Sequence, residues 1–121
     1  MKIVINDCYG GFRLSHEAIM MYGELAGLNL EAVQQENTVF ATVDYDYYIN
    51  GDRENELYYY GYGNDIPRDD ANLVKVVETL GEKANSWSSK LKIVDIPDNV
   101  EWHIAEYDGI EHVAENHRTW S

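Results

Sequence analysis

The sequence predicts an α+β fold, one domain with a mostly antiparallel sheet and two helices packed on one face. Three observations predict it. β-Branched or alternating apolar runs recur at residues 3–5, 38–49, 91–96 and 100–104. Between them lie two stretches with apolar residues at spacings of three and four, 15–26 and 73–87. No internal repeat or low-complexity linker interrupts the order strand, helix, hairpin, helix, strand, hairpin, so residues 1–121 form a single domain.

The first strand is the β-branched run Ile3-Val4-Ile5, and it stops at Asn6-Asp7. Gly10-Gly11 then frees the backbone for a turn. Ser15 caps the helix that follows, with Glu17 in its first turn, where a negative charge suits the helix dipole. A strand, a glycine turn and a helix start gather backbone N–H groups in one place, with Arg13 inside the junction. The junction is either a packing turn or an anion cradle. Neither Gly-x-Gly-x-x-Gly nor Gly-Lys-Ser/Thr is present, so neither nucleotide fingerprint applies. The helix carries Ile19, Tyr22 and Ala26, flanked by Ala18, Met21 and Leu25, an arc wide enough to lie on a sheet. Met20 and Met21 read as gap fillers, and Gly27 is the stop.

Residues 28–37 read as a mixed connector. Residues 38–49 then alternate, with Val43, Tyr45 and Tyr47 on one face and Thr42, Asp44 and Asp46 on the other. The polar block 50–55 predicts a hairpin tip, in which Arg53 is a solvated loop charge. Residues 56–62 return as a strand whose tyrosines form either a cross-strand ladder or a wall for a planar ligand. Pro67 pushes Ile66 out of the helical region, and Asp69 or Asp70 caps the second helix. That helix carries the stripe Leu73, Val77, Leu80, Ala84 and Trp87, with Gly81 a small local cost inside it. Trp87, at the frayed end, is either the last core residue or half exposed over a pocket. The strand at 90–96 ends at Pro97-Asp98-Asn99, and Val100, Trp102 and Ile104 give the next strand one buried face. Asp108-Gly109 is a two-residue hairpin signal. Residues 110–115 return as a strand, with a short helix as the alternative.

Charge narrows the function classes. Asp and Glu number 22 against 9 Lys and Arg, a net charge of −13. Overall repulsion excludes broad binding to duplex nucleic acid or to an anionic membrane, but not a small anionic ligand in a local basic pocket. No apolar run approaches the ~18 residues that cross a bilayer, and the first residues lack the pattern of a signal peptide. One cysteine excludes an internal disulfide framework and fits a reducing cytoplasm.

Cys8 is the one candidate thiol nucleophile, but no local signature joins it to His16, His103, His112 or His117. His112 and His117 lack metal-ligand spacing, and Asp44/Asp46 and Asp69/Asp70 lack the rest of a calcium loop. No catalytic residue, metal or cofactor is therefore expected. The pattern that stands out is arginine at turns beside aromatics: Arg13 after Phe12, Arg68 after Pro67, and Arg118 before Trp120. Guanidinium groups bind phosphate bidentately and stack on rings. With Trp87 and ten tyrosines they suit a nucleotide-like ligand; the competing reading pairs them with the many carboxylates.

A longer set of residues carries a resemblance. Lys2-Ile3-Val4-Ile5-Asn6, Cys8-Tyr9-Gly10-Gly11-Phe12 and Leu14-Ser15 open it. Ile66-Pro67-Arg68-Asp69-Asp70, Val94-Asp95-Ile96-Pro97-Asp98 and Val100-Glu101-Trp102 continue it. Glu106-Tyr107-Asp108-Gly109 and His117-Arg118-Thr119-Trp120 close it. Together these segments resemble a family of small phage-encoded proteins, the phage anti-Thoeris sponges, the first Thoeris anti-defence family. The resemblance implies a homo-oligomer with an antiparallel sheet, two helices and ligand pockets at subunit boundaries. It implies sequestration, without degradation, of a cyclic ADP-ribose isomer and, for some members, of cyclic oligonucleotides. It implies an adenine stacked on Trp87, ligand contacts from Arg118 and Asn99, and Trp120 closing the pocket. Arg13 and Arg68 join this set on their own chemistry. The expected protein is then not an enzyme and acts in the cytoplasm of an infected host cell. Its expected partners are a small anionic nucleotide and further copies of itself, with no duplex nucleic acid and no membrane. The alternative is an acidic inhibitor that binds a host protein directly.

Overall fold

The computed structural model of the chain describes residues 1–37, 42–49 and 66–116. Its elements are β1 (Lys2–Asn6), α1 (His16–Leu25), β2 (Leu30–Asn37), β3 (Thr42–Ile49), α2 (Ala71–Leu80), β4 (Leu91–Asp95), β5 (Trp102–Tyr107) and β6 (Ile110–Glu115). Among the described residues, two helices and six antiparallel strands make an α+β fold. The strands form three two-stranded ladders, β1–β4, β2–β3 and β5–β6, rather than one continuous sheet.

β1 explains why. Ile3, Val4 and Ile5 are all buried, so the strand has no wet face. One edge pairs with β4, from Lys2 opposite Asp95 to Asn6 opposite Leu91. The other edge forms no ladder among the described residues. The Val4 N–H donates to the Arg68 carbonyl at 2.9 Å, and the Asn6 N–H donates to the Glu111 carboxylate at 2.8 Å. A loop carbonyl and a side chain satisfy donors that a third strand would otherwise take.

Both helices start as the sequence predicts. The Ala18 N–H donates to Ser15 Oγ at 3.1 Å, and the N–H groups of Asn72 and Leu73 donate to Asp70 Oδ1 at 2.9 and 3.1 Å. Each cap contributes ~1 kcal/mol. The main core lies between the helices and β1, where Leu14, Ala18 and Ile19 meet Leu73, Val76 and Val77 over Val4. Full burial of one such side chain contributes ~1.5–3 kcal/mol. His16, at the start of α1, stacks on Tyr45 of β3 with ring centroids 4.0 Å apart, and shares a 2.7 Å hydrogen bond with the Tyr47 hydroxyl. This joins the β2–β3 ribbon to the helices.

Two expectations change. Residues 30–37 are a strand, not a connector: β2 pairs with β3 from Leu30 opposite Ile49 to Asn37 opposite Thr42. Its Glu, Ala and Asn residues have weak strand preference, so the ladder and not local propensity makes it a strand. The hairpin tip at 50–55 and the tyrosine-rich return at 56–62 lie outside the described residues. Second, α2 ends at Leu80. Gly81 adopts φ +56°, and a 3-10 turn over Gly81–Ala84 follows, so this glycine terminates the helix instead of sitting inside it. As expected, Asp108 (φ +49°) and Gly109 (φ +90°) both take the positive φ of a two-residue hairpin turn. The segment after them is the expected return strand, β6.

Arg68 and Glu111 lock β6 to β1. Arg68 Nη1 donates to Glu111 Oε1 at 2.6 Å and Nη2 to Oε2 at 2.9 Å, a bidentate pair. The guanidinium carbon lies 3.5 Å from the centroid of the Phe12 ring. Both side chains are largely buried. Glu111→Gln leaves the guanidinium buried without a counter-charge. The expected loss of stability in urea denaturation is ~3 kcal/mol or more, and Arg68→Met with Glu111→Leu recovers much of it.

At the far end of β4, the Met1 amine donates to Asp98 Oδ1 at 2.6 Å. This hydrogen bond raises the pKa of the amine and lowers that of the Asp98 carboxyl. The raised amine stabilises the fold below its ordinary 8.0 and loses that contribution as pH climbs through the raised value. The lowered carboxyl stabilises it above its ordinary 3.8 and loses that contribution as pH falls through the lowered value. Both groups are solvent-exposed, so the effect is small. Melting temperatures from pH 3 to 10 should show Asp98→Asn flattening the curve at both ends.

Candidate functional site, a corner where three loops meet

Asn6 ends β1 and has no solvent-accessible surface. Its side chain uses every bonding position an amide has. Nδ2 donates to the Cys8 carbonyl at 2.8 Å and to the Gly109 carbonyl at 2.7 Å. Oδ1 accepts from the Lys90 N–H at 2.8 Å and from the Cys8 thiol at 3.3 Å. One buried amide thus ties together the corner after β1, the loop before β4 and the β5–β6 turn.

Glycines let these segments touch backbone to backbone. A Cβ on Gly10 would sit 1.8 Å from the Ser88 carbonyl oxygen. A Cβ on Gly109 would sit 2.7 Å from both Tyr9 O and Gly11 N. Serines hold the loop before β4 in shape. The N–H of Ser86 donates to Ser89 Oγ at 2.9 Å, the N–H of Ser88 donates to Ser86 Oγ at 3.2 Å, and Ser89 Oγ donates to the Arg13 carbonyl at 2.6 Å. Of the two readings of Gly10-Gly11, this geometry supports the packing turn.

Each of the three segments carries one aromatic out into solvent. Tyr9, Trp87 and Tyr107 are 71%, 73% and 71% exposed, and they are the large exposed hydrophobics among the described residues. The Arg13 guanidinium lies 5.5 Å from the centroid of the Trp87 ring. A cation at this distance from an exposed indole contributes ~0.5–1 kcal/mol. It also presets a cation beside a flat aromatic face.

The candidate residues separate accordingly. Arg13 and Trp87 come together. Trp87 lies in a turn beyond the end of α2 and is mostly exposed, so it is not the last core residue. Arg68 is committed to Glu111, as the carboxylate-pairing reading has it. Asn99 is exposed in the turn after β4, while Trp87 lies in the loop before it. A five-residue strand, roughly 16 Å at ~3.3 Å per residue, separates the two ends. Arg118 and Trp120 lie outside the described residues. The Cys8 thiol is shared between Asn6 Oδ1 and the Ser88 carbonyl, each at 3.3 Å. His16 is bonded to Tyr47, and His103 to Asn116. Among the described residues no group of three or more His, Cys, Asp or Glu is placed to hold a metal. None of their helices is long and apolar enough to cross a membrane.

Tyr9 and Tyr107 belong to the corner but do not emerge from the sequence as site residues. Their signal is an aromatic set directly before a turn that contains glycine, Tyr9-Gly10-Gly11 and Tyr107-Asp108-Gly109. Asn6 carries no such signal, because its four partners are spread from Cys8 to Gly109. No protein-family model, curated protein or solved structure matches the chain.

Gly10→Ala forces the corner off the loop before β4 and should cost ~1–3 kcal/mol. Gly11→Ala meets no atom within 4 Å and pays only for its positive φ. Urea denaturation of the two variants checks the order, with Gly10→Ala the less stable.

Proposed function

We propose that the chain is a phage anti-defence protein that binds a cyclic nucleotide immune signal and holds it without chemical change. The ligand class is a cyclic ADP-ribose isomer or a cyclic oligonucleotide. The observation that carries this reading is the Arg13–Trp87 pair, a guanidinium 5.5 Å from the centroid of an exposed indole. An indole face stacks a base, worth ~1–3 kcal/mol, and a guanidinium takes a phosphate bidentately. Tyr9 and Tyr107 extend the aromatic surface at the same corner. The resemblance to the anti-Thoeris sponges supports the same ligand class and adds Arg118 and Trp120 to the proposed ligand set.

The proposed working unit is a homo-oligomer in the cytoplasm of the infected cell. Asn99, at the opposite end of β4, contributes to the ligand of a second copy in this scheme. The proposed activity is not enzymatic, since sequestration needs affinity alone. A nanomolar Kd corresponds to about −12 kcal/mol. The net charge of −13 keeps bulk RNA from competing, while Arg13 gives a local cation to a small ligand.

A thermal scan with cyclic ADP-ribose isomers and cyclic oligonucleotides tests this. Ligand at 1,000 times Kd should stabilise the fold by ~4 kcal/mol. Trp87→Ala and Arg13→Ala should each remove most of the shift, and the ligand should be recovered intact after heat denaturation. No shift with any of these nucleotides would sink the proposal, and recovery of a cleaved ligand would make the protein a hydrolase. The net charge and the three exposed aromatics favour a second reading, an acidic inhibitor of a host protein. No shift, combined with a stoichiometric host partner lost in Trp87→Ala, would move the function there.

A further inference from the structure

The outer face of α1 takes no part in the three-loop corner. Glu17, Met20, Met21 and Glu24 recur along one stripe of the helix. The chain then turns back through Leu28 and Asn29 to begin β2 at Leu30. Together these residues line an open groove of about 470 Å³. That volume falls in the range of ligand sites, ~300–1,000 Å³. No residue of the three-loop corner takes part in it.

We propose that this groove docks a cationic amphipathic helix of a partner protein. The floor is apolar and adaptable, with Met20, Met21 and Leu30 half-buried against the core. Methionine repacks around differently shaped anchors more readily than branched residues do. Both charged side chains of the lining are carboxylates, and both are exposed. Glu17 and Glu24 are seven residues apart, which is two helical turns or ~10.5 Å. A helix laid into the groove therefore carries Lys or Arg about seven residues apart, with two or three apolar anchors between them. A second copy of this chain does not satisfy that pattern. Pairing through the same face would set Glu17 and Glu24 against the same two carboxylates. The net charge of −13 also speeds the approach of a cationic segment.

The probe is a fluorescein-labelled 14-residue helical peptide of leucine and lysine with lysines seven apart, titrated by anisotropy at 150 mM salt. Glu17→Gln with Glu24→Gln should weaken binding about tenfold, as loss of two partly screened ion pairs implies. Met20→Gln should weaken it as well. Glu82→Gln with Glu101→Gln removes the same charge from exposed positions elsewhere and should change affinity less than about twofold. Thermal melts confirm that each variant is folded. Equal weakening by both glutamate pairs would show attraction to bulk charge and overturn the proposal, as would no binding by the unaltered chain. Sedimentation showing a dimer that dissociates on Met20→Gln would assign the groove to a second copy, which also overturns it.

Discussion

The amide of Asn6 is the constraint on which the rest depends. A buried amide without partners costs ~1–3 kcal/mol or more, so it tolerates only surroundings that supply two acceptors and two donors. Here the acceptors are carbonyls of Cys8 and Gly109, and the donors are the Lys90 N–H and the Cys8 thiol. None belongs to a ladder partner of Asn6, so meeting the amide's needs fixes three loops at once. The backbone N–H of the same residue is taken by Glu111, whose other role is to hold Arg68. Specificity at this end of the fold comes from polar groups that fit one arrangement, while the helices supply bulk apolar burial elsewhere.

That division explains which parts of the architecture the sequence reveals. Local chemistry is legible. Ser15 and Asp70 cap helices because a side-chain oxygen reaches N–H groups two or three residues away. Asp108-Gly109 turns because both residues tolerate positive φ. Periodicity is less secure. The four-residue step from Leu80 to Ala84 survives a change from α-helix to 3-10 turn, so the apolar stripe conceals the stop at Gly81. β2 is invisible locally because polar residues become a strand only when β3 offers a ladder. Arg68 stands out on its own, but its pairing with Glu111, 43 positions away, leaves no mark in either neighbourhood.

The candidate site shows the same split. Arg13 and Trp87 stand out one at a time, as an arginine at a turn and an aromatic after a helix. Their meeting depends on the Ser89 bond to the Arg13 carbonyl and on Gly10 lying against Ser88. Neither is visible until the backbone is placed. The aromatics share a logic too. Each follows or precedes a backbone contact too tight for a side chain, so its ring has only one direction to go, outward.

Distance along the chain has a consequence in time. β1 closes on β4, and Asn6 bonds to Gly109 and Glu111 across 103 and 105 positions. Contacts of such long separation form late, because the intervening loop loses its entropy before the contacts reward it. During synthesis β1 emerges well before β4, Gly109 and Glu111, to which it is bonded. Until then Ile3, Val4 and Ile5 form a β-branched apolar edge with nothing to pair against, the kind of segment that recruits other chains. The strand that organises the finished protein is thus left open to misassembly in the nascent one.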